Sequence, residues 1–318
     1  MKSFAAMFPG QGSQAVGMLD AWGDDPVVRA VLQEASDALG QDLGALIHDG
    51  PKEELALTTN TQPVMLVAGV AAYRVWMDRV GVAPVAVAGH SLGEYAALVA
   101  AGALSLGEAA PLVRLRAQAM QDAVPVGVGA MAAILGLDAD RVREGCREVM
   151  QTRQAEGSPD SVVEAVNFND PAQTVIAGHA AAVQQACARL KEMGAKRALP
   201  LPVSAPFHCQ LMRPAAERLR EHLQRVALRS PSMALVNNID VSVESEPEKI
   251  RDALYRQAFG PVRWVECVQA LRAQGAAALV EFGPGKVLAG MAKRIAPELE
   301  PLALYDPATL QGIRGALA

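Results

Sequence analysis

The sequence is poor in aromatic residues, in paired cysteines and in long apolar runs, and each shortage excludes a class of protein. Aromatic residues make up 4% of the 318 residues although 51% are hydrophobic, so Ala, Val, Leu and Met must fill most of the core. The four cysteines form no C-x-x-C pair, which predicts reduced thiols in a cytoplasmic protein rather than a disulfide framework. No stretch approaches the ~20 apolar residues that a membrane-spanning helix needs.

Positive charge is also scarce. The formal net charge is −5 at pH 7 and no block of basic residues occurs, which argues against a nucleic-acid-binding protein. The apolar run at the amino end is too short for a signal peptide, so we expect an intracellular chain. A length of 318 residues suits one large α/β domain, or a large domain that carries a smaller one.

The most informative stretch is VAVAGHSLGEYAALV at positions 85–99. A short apolar run ends at G-H-S-L-G and a helix-forming run follows at once, which is the strand–turn–helix pattern of a nucleophile elbow. In such a turn Gly89 and Gly93 let the two backbones pass closely, and the oxygen of Ser91 is exposed at the strand end. The amino end of the following helix favours negative charge beside that oxygen. The pattern therefore predicts an acyl-transfer nucleophile, whereas a bare G-x-S-x-G match would also fit an ordinary turn.

Apolar segments of strand length alternate with amphipathic segments along the chain. A first strand over 3–8 leads into the loop P-G-Q-G-S-Q at 9–14, whose glycines expose backbone N–H groups and allow close approach to a ligand. Pro63 is predicted in the first turn of a long apolar helix, and Ser105 with Glu108 predicts a capping box at the start of a later one. Because the strands are apolar without alternation, we expect a mostly parallel, covered sheet.

The pattern changes after V-P-V-G-V-G at 124–129. The order strand, helix, strand, strand, helix, strand follows, and this is the ferredoxin-like α+β arrangement, whose two ends return to one place. We therefore predict a small subdomain over 128–200, inserted into a large α/β subdomain made of 1–127 and 201–318.

A serine needs a base to act as a nucleophile near pH 7. His208 is the favoured candidate among five histidines, because it ends a turn where the large subdomain resumes. His90 is adjacent to Ser91, but in an elbow its side chain points away from the serine. No acidic residue stands at an obvious strand end between Ser91 and His208, so a dyad oriented by a backbone carbonyl is favoured over a full triad.

Arg116 shares a helix face with apolar residues such as Leu112 and Met120. Burying an unpaired arginine costs several kcal/mol, so this residue must be paired or line a cleft. Two interpretations stay open. The partner is either a structural carboxylate of the protein or a substrate carboxylate, which the two-pronged guanidinium would bind through two parallel hydrogen bonds.

Six motifs taken together resemble those of one family. They are FPGQGSQ at 8–14, GHSLGEYAAL at 89–98, the helix that carries Arg116, NFN at 167–169, SAPFH at 204–208 and EFGPGKVL at 281–288. In this order they are similar to the malonyl-CoA:acyl carrier protein transacylases of bacterial fatty-acid synthesis and to the related acyltransferase domains of polyketide synthases. The resemblance extends from the first strand to about residue 296.

The resemblance implies a hydrolase-like α/β core with the ferredoxin-like insert. It also implies a ping-pong transfer of malonyl from CoA to the phosphopantetheine thiol of acyl carrier protein. Ser91 would carry malonyl as an ester, with His208 as general base and acid. The backbone N–H groups of Gln11 and Leu92 would form the oxyanion hole. No metal and no bound cofactor is implied, since CoA enters as a substrate.

The resemblance further implies which residues bind the acyl group. Arg116 would pair with the malonyl carboxylate, and Gln257 would line the pocket in a segment whose backbone carbonyl orients the histidine. Phe207 resembles the malonyl-selecting variants of the family. Asn167 falls where the small subdomain faces the cleft, and His90 is included as a substrate-binding residue.

The carrier protein of such an enzyme is acidic, which predicts a local basic surface in spite of the negative total charge. The candidates form two groups, which are Lys191, Lys196 and Arg197 on the small subdomain and Lys286, Lys293 and Arg294 near the cleft. We expect a monomer, with neither nucleic acid nor membrane as a partner.

Three other classes share part of these features. A thioesterase-like or lipase-like serine hydrolase has the elbow, but it needs an acid to complete a triad and has no need of Arg116. A non-catalytic, carrier-binding subunit would not need Ser91, His208 and Arg116 to be intact. A malonate decarboxylase subunit or a stand-alone polyketide loading enzyme shares the chemistry, so the sequence does not separate it from the fatty-acid role.

Overall fold

The computed structural model describes all residues from 1 to 318 and contains two sheets. Nine strands form them, namely β1 (Phe4–Phe8), β2 (Ala86–Gly89), β3 (Gly129–Leu135), β4 (Val163–Asp170), β5 (Gln173–His179), β6 (Arg197–Pro200), β7 (Ala234–Val236), β8 (Ala278–Phe282) and β9 (Glu300–Leu304).

Thirteen helices surround the sheets. They are α1 (Pro26–Leu39), α2 (Leu43–Asp49), α3 (Lys52–Ala56), α4 (Thr58–Arg79), α5 (Gly93–Ala100), α6 (Leu106–Asp122), α7 (Ala139–Ala155), α8 (Ala180–Glu192), α9 (Arg213–Leu223), α10 (Pro247–Gln257), α11 (Trp264–Ala273), α12 (Val287–Ile295) and α13 (Pro307–Leu317). None of them combines the length and the apolarity that crossing a membrane requires.

The larger sheet has the strand order β7-β2-β1-β8-β9, and every neighbouring pair is parallel. Its central strand β1 is buried on both faces. Phe4 and Phe8 belong to one hydrophobic core with α4, whereas Ala5 and Met7 belong to a second core with α11 and α12. A strand between two cores has no face for polar residues, which explains its unbroken apolar sequence.

The smaller sheet has the order β4-β5-β3-β6, and its strand pairs are antiparallel. α7 and α8 pack against it around a third hydrophobic core, to which Ile134, Val142 and Ile176 belong. This is the ferredoxin-like arrangement. The predicted fold class, a parallel hydrolase-like sheet with an additional ferredoxin-like α+β unit, is therefore confirmed.

The turn between β2 and α5 accepts only glycine at two positions. A Cβ atom at Gly89 would lie 1.9 Å from the carbonyl carbon of Gly93, and one at Gly93 would lie 2.0 Å from the carbonyl oxygen of Phe8. Between the glycines, Ser91 has a φ of 52°, in the left-handed region that a serine rarely adopts. The strand, the helix and β1 are thus in backbone contact, and the serine is held in a strained conformation at the sheet edge.

The smaller sheet contacts the rest of the molecule through β4. Asn167 forms a parallel bridge with Val262 of the large subdomain. Asp170, whose side chain is 5% exposed, accepts a 2.7 Å hydrogen bond from the guanidinium of Arg294. These contacts hold the small sheet as one wall of a cleft above the carboxyl edge of the large sheet.

Several elements differ from the sequence prediction. α4 begins at Thr58, so Pro63 lies in its second turn rather than in its first, as the sequence predicted. α7 continues to Ala155, although the polar residues after Met150 predict a loop. α2, β9 and α13 are not predicted at all. β9 is an edge strand that contains Pro301 and is mostly half-exposed, so it lacks the apolar run typical of the inner strands.

Candidate active site

Three neighbouring parallel strands end side by side at the site. β1 leads to Gln11, β2 leads to Ser91 and β7 leads to Asn238, and the carboxyl ends of parallel strands meet at one edge of a sheet. The loop after β1 approaches the elbow closely, because a Cβ atom at Gly10 would lie 2.7 Å from the carbonyl oxygen of His90. A glycine at this position therefore brings the backbone of Gln11 to the nucleophile.

Ser91 and His208 are in direct contact although 117 positions separate them in the sequence. The Ser91 Oγ atom lies 2.6 Å from Nε2 of His208. The other ring nitrogen, Nδ1, lies 2.9 Å from the backbone oxygen of Gln257. Because a carbonyl oxygen can only accept, Nδ1 carries the hydrogen and Nε2 is free to accept the serine proton.

His208 is neutral at physiological pH. Its side chain is buried, and burial together with the positive charge of Arg116 lowers its pKa to about 3. Its backbone has a φ of 66°, so His208, like Ser91, is held in the left-handed region. A neutral imidazole with a free Nε2 is the form that a general base requires.

Arg116 places a buried positive charge beside the serine. Its Nη2 atom donates to Ser91 Oγ and to Oε1 of Gln257, each at 3.1 Å, and Nη1 donates to Oε1 of Gln62 at 2.7 Å. The residue is 2% exposed and forms no ion pair with a carboxylate of the protein. Burial lowers its pKa, and Nε has no partner at all. The site therefore contains an incompletely satisfied cation that can bind an anion.

Gln257 and Asn238 form hydrogen bonds with the backbone of the elbow. Gln257 is completely buried, and its Nε2 atom donates to the backbone oxygen of Ser91 and to Oε2 of Glu94, both at 2.9 Å. Asn238 accepts from the backbone N–H of Ser91 at 2.7 Å and donates to the backbone oxygen of Gly89 at 2.8 Å. These bonds satisfy backbone groups that the sharp turn leaves without a helical or strand partner.

Gln11 and Leu92 supply two free donors at the serine. Both residues line the cavity at Ser91, and their backbone N–H groups donate to no other group of the protein. Leu92 immediately precedes α5, where the first N–H groups of a helix lack intrahelical acceptors and the helix dipole is positive. The pair is suited to bind a negatively charged oxygen.

The cleft between the subdomains contains a cavity of about 200 Å³. Phe207 and Asn167 lie on its lining, and they are 8% and 6% exposed. Much of the remaining lining is apolar, from Met120, Met131, Val175, Leu201, Val203, Val287, Leu288 and Met291. No cluster of three or more His, Cys, Asp or Glu side chains in the protein is arranged to hold a metal ion.

His90 contacts the small subdomain rather than the serine side chain. Its Nε2 atom lies 2.8 Å from Oδ1 of Asn169, and its ring packs edge-on against Trp264 at 5.5 Å between centroids. Burial lowers its pKa. The residue therefore connects the elbow to β4 at the back of the cleft.

Four further residues take part in this site although the sequence did not indicate them. They are Gln62, Glu94, Asn169 and Asn238. A usable signal existed for Asn238, because it follows a short apolar strand, and polar residues at the carboxyl ends of parallel strands meet at one edge. Glu94 gave no such signal, since a glutamate in a helix is ordinarily exposed.

The chain matches known proteins over nearly its whole length. The acyl transferase domain family matches residues 6–303, so the chain belongs to that family and is an acyltransferase. Among its curated relatives, the malonyl CoA-acyl carrier protein transacylase of Escherichia coli (strain K12) is 51% identical over 311 residues, which are 98% of each chain. The protein of the same name from Bacillus subtilis (strain 168) is 42% identical over 98% of this chain and 96% of its own. The resemblance recognised in the sequence is confirmed.

Solved structures share the whole architecture. The acyl-carrier-protein S-malonyltransferase of Burkholderia pseudomallei 1710b is 60% identical, with a TM-score of 0.94 over 98% of this chain and 99% of its own. A second structure is a type II polyketide synthase acyl carrier protein in complex with its malonyl-transacylase. Its matching chain is 49% identical, with a TM-score of 0.93 over 97% of this chain and 98% of its own. The similarity continues well beyond residue 296, where the sequence resemblance was expected to end.

Proposed function

We propose that this enzyme transfers the malonyl group of malonyl-CoA to the phosphopantetheine thiol of acyl carrier protein, as a step of fatty-acid biosynthesis. The reaction is a ping-pong exchange through a malonyl ester of Ser91. One observation carries the proposal: a buried arginine without an acidic partner lies 3.1 Å from the oxygen of a serine that contacts a neutral histidine. The names of the relatives agree with this assignment.

The first half-reaction forms the acyl-enzyme. His208 Nε2 takes the hydroxyl proton of Ser91 as Oγ attacks the thioester carbonyl of malonyl-CoA. The carbonyl oxygen becomes an oxyanion that binds the backbone N–H groups of Gln11 and Leu92. Collapse of this intermediate breaks the carbon–sulfur bond, and the protonated imidazole returns its proton to the departing CoA sulfur.

The second half-reaction repeats these steps with the other thiol. His208 takes the proton of the phosphopantetheine thiol, and the sulfur attacks the ester carbonyl. The same two N–H groups bind the oxyanion. Collapse breaks the carbon–oxygen bond, and His208 returns the proton to Ser91. The acyl group moves only between thiol and hydroxyl groups, so these residues complete the reaction without a further cofactor.

The position of Arg116 favours a short acyl group that ends in a carboxylate. Malonyl has one methylene group between its two carbonyl carbons, so a cation that binds its free carboxylate must lie close to the nucleophile. Arg116 meets this requirement, since it contacts Ser91 Oγ itself. Apolar residues of the cavity exclude water from the ester, which supports transfer over hydrolysis.

The carrier protein is expected to bind along α12. Lys286 immediately precedes the helix and Lys293 lies in its last turn. Both lysines are exposed, and Val287 and Met291 of the same helix line the cavity. Arg294 is a weaker candidate than the lysines, because its guanidinium already pairs with Asp170. The two lysines thus form an exposed basic surface on a helix that lines the cavity of the reacting serine.

The double substitution Lys286→Glu, Lys293→Glu should raise the KM for acyl carrier protein by about three- to tenfold and leave the KM for malonyl-CoA unchanged. The cause is lost attraction for an acidic partner. Steady-state kinetics with each substrate varied in turn measures this. Lys249→Glu, an exposed lysine on α10, is the matched control and should alter neither value. Equal changes for both substrates would reject this docking surface.

The direct test of the function is to mix the protein with radiolabelled malonyl-CoA in the absence of carrier protein. We expect a stable malonyl ester that peptide mass spectrometry assigns to Ser91, no label on the Ser91→Ala variant, and discharge of the label when carrier protein is added. Release of free malonate without an adduct would identify a hydrolase. Absence of both label and turnover would identify a non-catalytic protein. Either outcome would overturn the proposal.

A further inference from the structure

Glu94 is a buried carboxylate that the proposed reaction does not use. It lies in the first turn of α5, three residues after the nucleophile, and it is 1% exposed. Its Oε2 atom accepts from Nε2 of Gln257 and from the backbone N–H of Asn238, both at 2.9 Å. Burying a carboxylate is costly, so its presence directly behind the dyad requires an explanation.

The contacts of Gln257 connect Glu94 to Arg116. The Gln257 amide donates through Nε2 to Glu94 and accepts through Oε1 from Arg116. The reverse orientation of this amide would direct its NH₂ group at the guanidinium and its oxygen at the carboxylate. Both contacts would then be repulsive. The two charged groups together therefore fix one orientation, in which Gln257 also donates to the backbone oxygen of Ser91.

Glu94 and Arg116 carry opposite charges but do not form an ion pair. One amide group lies between them, and all three residues are almost completely buried. A direct ion pair would occupy the guanidinium nitrogens that the acyl carboxylate needs. The intervening amide instead lets the carboxylate stabilise the arginine electrostatically and leaves its nitrogens available to the substrate.

We infer that Glu94 is a positioning residue that acts through Gln257. As the distant counter-ion of Arg116, it determines how strongly the site prefers malonyl to acetyl. The inference rests on the proposed function. The carboxylate of a bound malonyl group would interact with the same guanidinium that Glu94 reaches through Gln257. The negative charge of Glu94 therefore weakens the binding of an acyl carboxylate and makes the empty or acetylated site less unfavourable.

Four titratable groups face Glu94, namely Arg116 from α6, Tyr95 from its own helix, Asp240 after β7 and Cys267 from α11. Among the carboxyl groups of this cluster, only Glu94 is expected to titrate near neutral pH. Burial raises the pKa of Glu94 to about 7, against the opposing effects of its hydrogen bonds and of Arg116. Arg256 lowers the pKa of Asp240, and burial raises the pKa of Tyr95 to about 12 and that of Cys267 strongly.

This arrangement predicts the direction in which pH changes the preference for malonyl over acetyl. As the pH falls from 8 to 6, Glu94 gains a proton, the negative charge behind Gln257 disappears, and malonyl is favoured further over acetyl. His208 does not produce the same effect, because its pKa of about 3 lies outside this range.

The test compares kcat/KM for the loading of Ser91 with malonyl and with acetyl, in wild type and in Glu94→Gln. Glutamine keeps an oxygen for both hydrogen bonds and removes the charge. We expect the malonyl-to-acetyl ratio at pH 8 to rise about tenfold in the variant. The ratio should increase from pH 8 to pH 6 in the wild type and stay constant in the variant. A purely structural role would change both loading rates together and leave the ratio unchanged.

Glu281→Gln is the matched control. Glu281 is also completely buried, and burial raises its pKa to about 7, but it accepts from the backbone N–H of Ala289 and contacts neither Arg116 nor Gln257. The malonyl-to-acetyl ratio of Glu281→Gln should therefore equal that of the wild type. A ratio in Glu94→Gln within twofold of the wild type would overturn the inference.

If Glu94→Gln does not fold, the wild-type pH series decides the question alone, and a flat ratio would reject the inference. Failure of the wild type to load malonyl on Ser91 would instead contradict the proposed function. The two failures are therefore distinguishable.

Discussion

The His208→Ala variant should load malonyl about 10⁴-fold more slowly than the wild type, at the upper end of the range for a general acid–base residue. The loss is large because the same imidazole takes and returns a proton in each half-reaction. Single-turnover loading of Ser91 with labelled malonyl-CoA measures it. His222→Ala, on the partly exposed helix α9, is the matched control and should load at the wild-type rate. A loss below tenfold for His208→Ala would show that another group is the base.

The same variant should also change the stability of the protein in acid. Folding lowers the pKa of His208 from 6.5 to about 3, so the unfolded chain binds more protons in this interval. The neutral histidine therefore contributes stability above pH 6.5 that is lost as the pH falls toward 3. Denaturant titrations at pH 7 and pH 5 measure the free energy of unfolding. This free energy should fall less between pH 7 and pH 5 in His208→Ala than in wild type. Equal losses would mean that the histidine is protonated in the fold.

Arg116→Ala should lower kcat/KM for malonyl by about 10²-fold or more and raise it for acetyl. Malonyl loses the group that binds its carboxylate, whereas acetyl no longer enters a site that contains an unpaired cation. A second effect favours acetyl. The charge of Arg116 lowers the pKa of His208, so the base becomes stronger when the arginine is removed. With acetyl, the wild type has no carboxylate that could offset this charge.

Arg114→Ala is the control for this experiment. Arg114 lies on the same helix, but it is half-buried on another side and donates to Gln41. Its removal should leave the acyl preference of the wild type in place. Retention of the malonyl preference by Arg116→Ala would contradict the role given to Arg116, and the inference on Glu94 would lose its basis.

The parts of this molecule that could be predicted are those encoded by local patterns. The elbow is such a pattern, since strand, turn and helix fall within 15 residues and the two glycines allow the close backbone contacts of the turn. The fold class is another, because continuous apolar strands and the β-α-β-β-α-β order appear directly in the sequence. Both the fold class and the family are confirmed.

The parts that could not be predicted depend on contacts between distant positions. Glu94 has the sequence environment of an exposed helical glutamate, and only its bonds to Asn238 and Gln257, 144 and 163 positions away, make it part of the site. β9 forms by pairing with β8 at a sheet edge, where no continuous apolar run is needed. The roles assigned to Ser91 and His208 stay predictions, although the two side chains are in contact.

The order of the site residues along the chain has a consequence for protein synthesis. The small subdomain is encoded between Ser91 and His208, 117 positions apart, and the carbonyl of Gln257 follows His208 by 49 more. At roughly 5–20 residues per second, the ribosome adds Ser91 to the chain about 6–23 seconds before it adds His208. A growing chain therefore contains the serine without its proposed base until His208 and Gln257 have been synthesised.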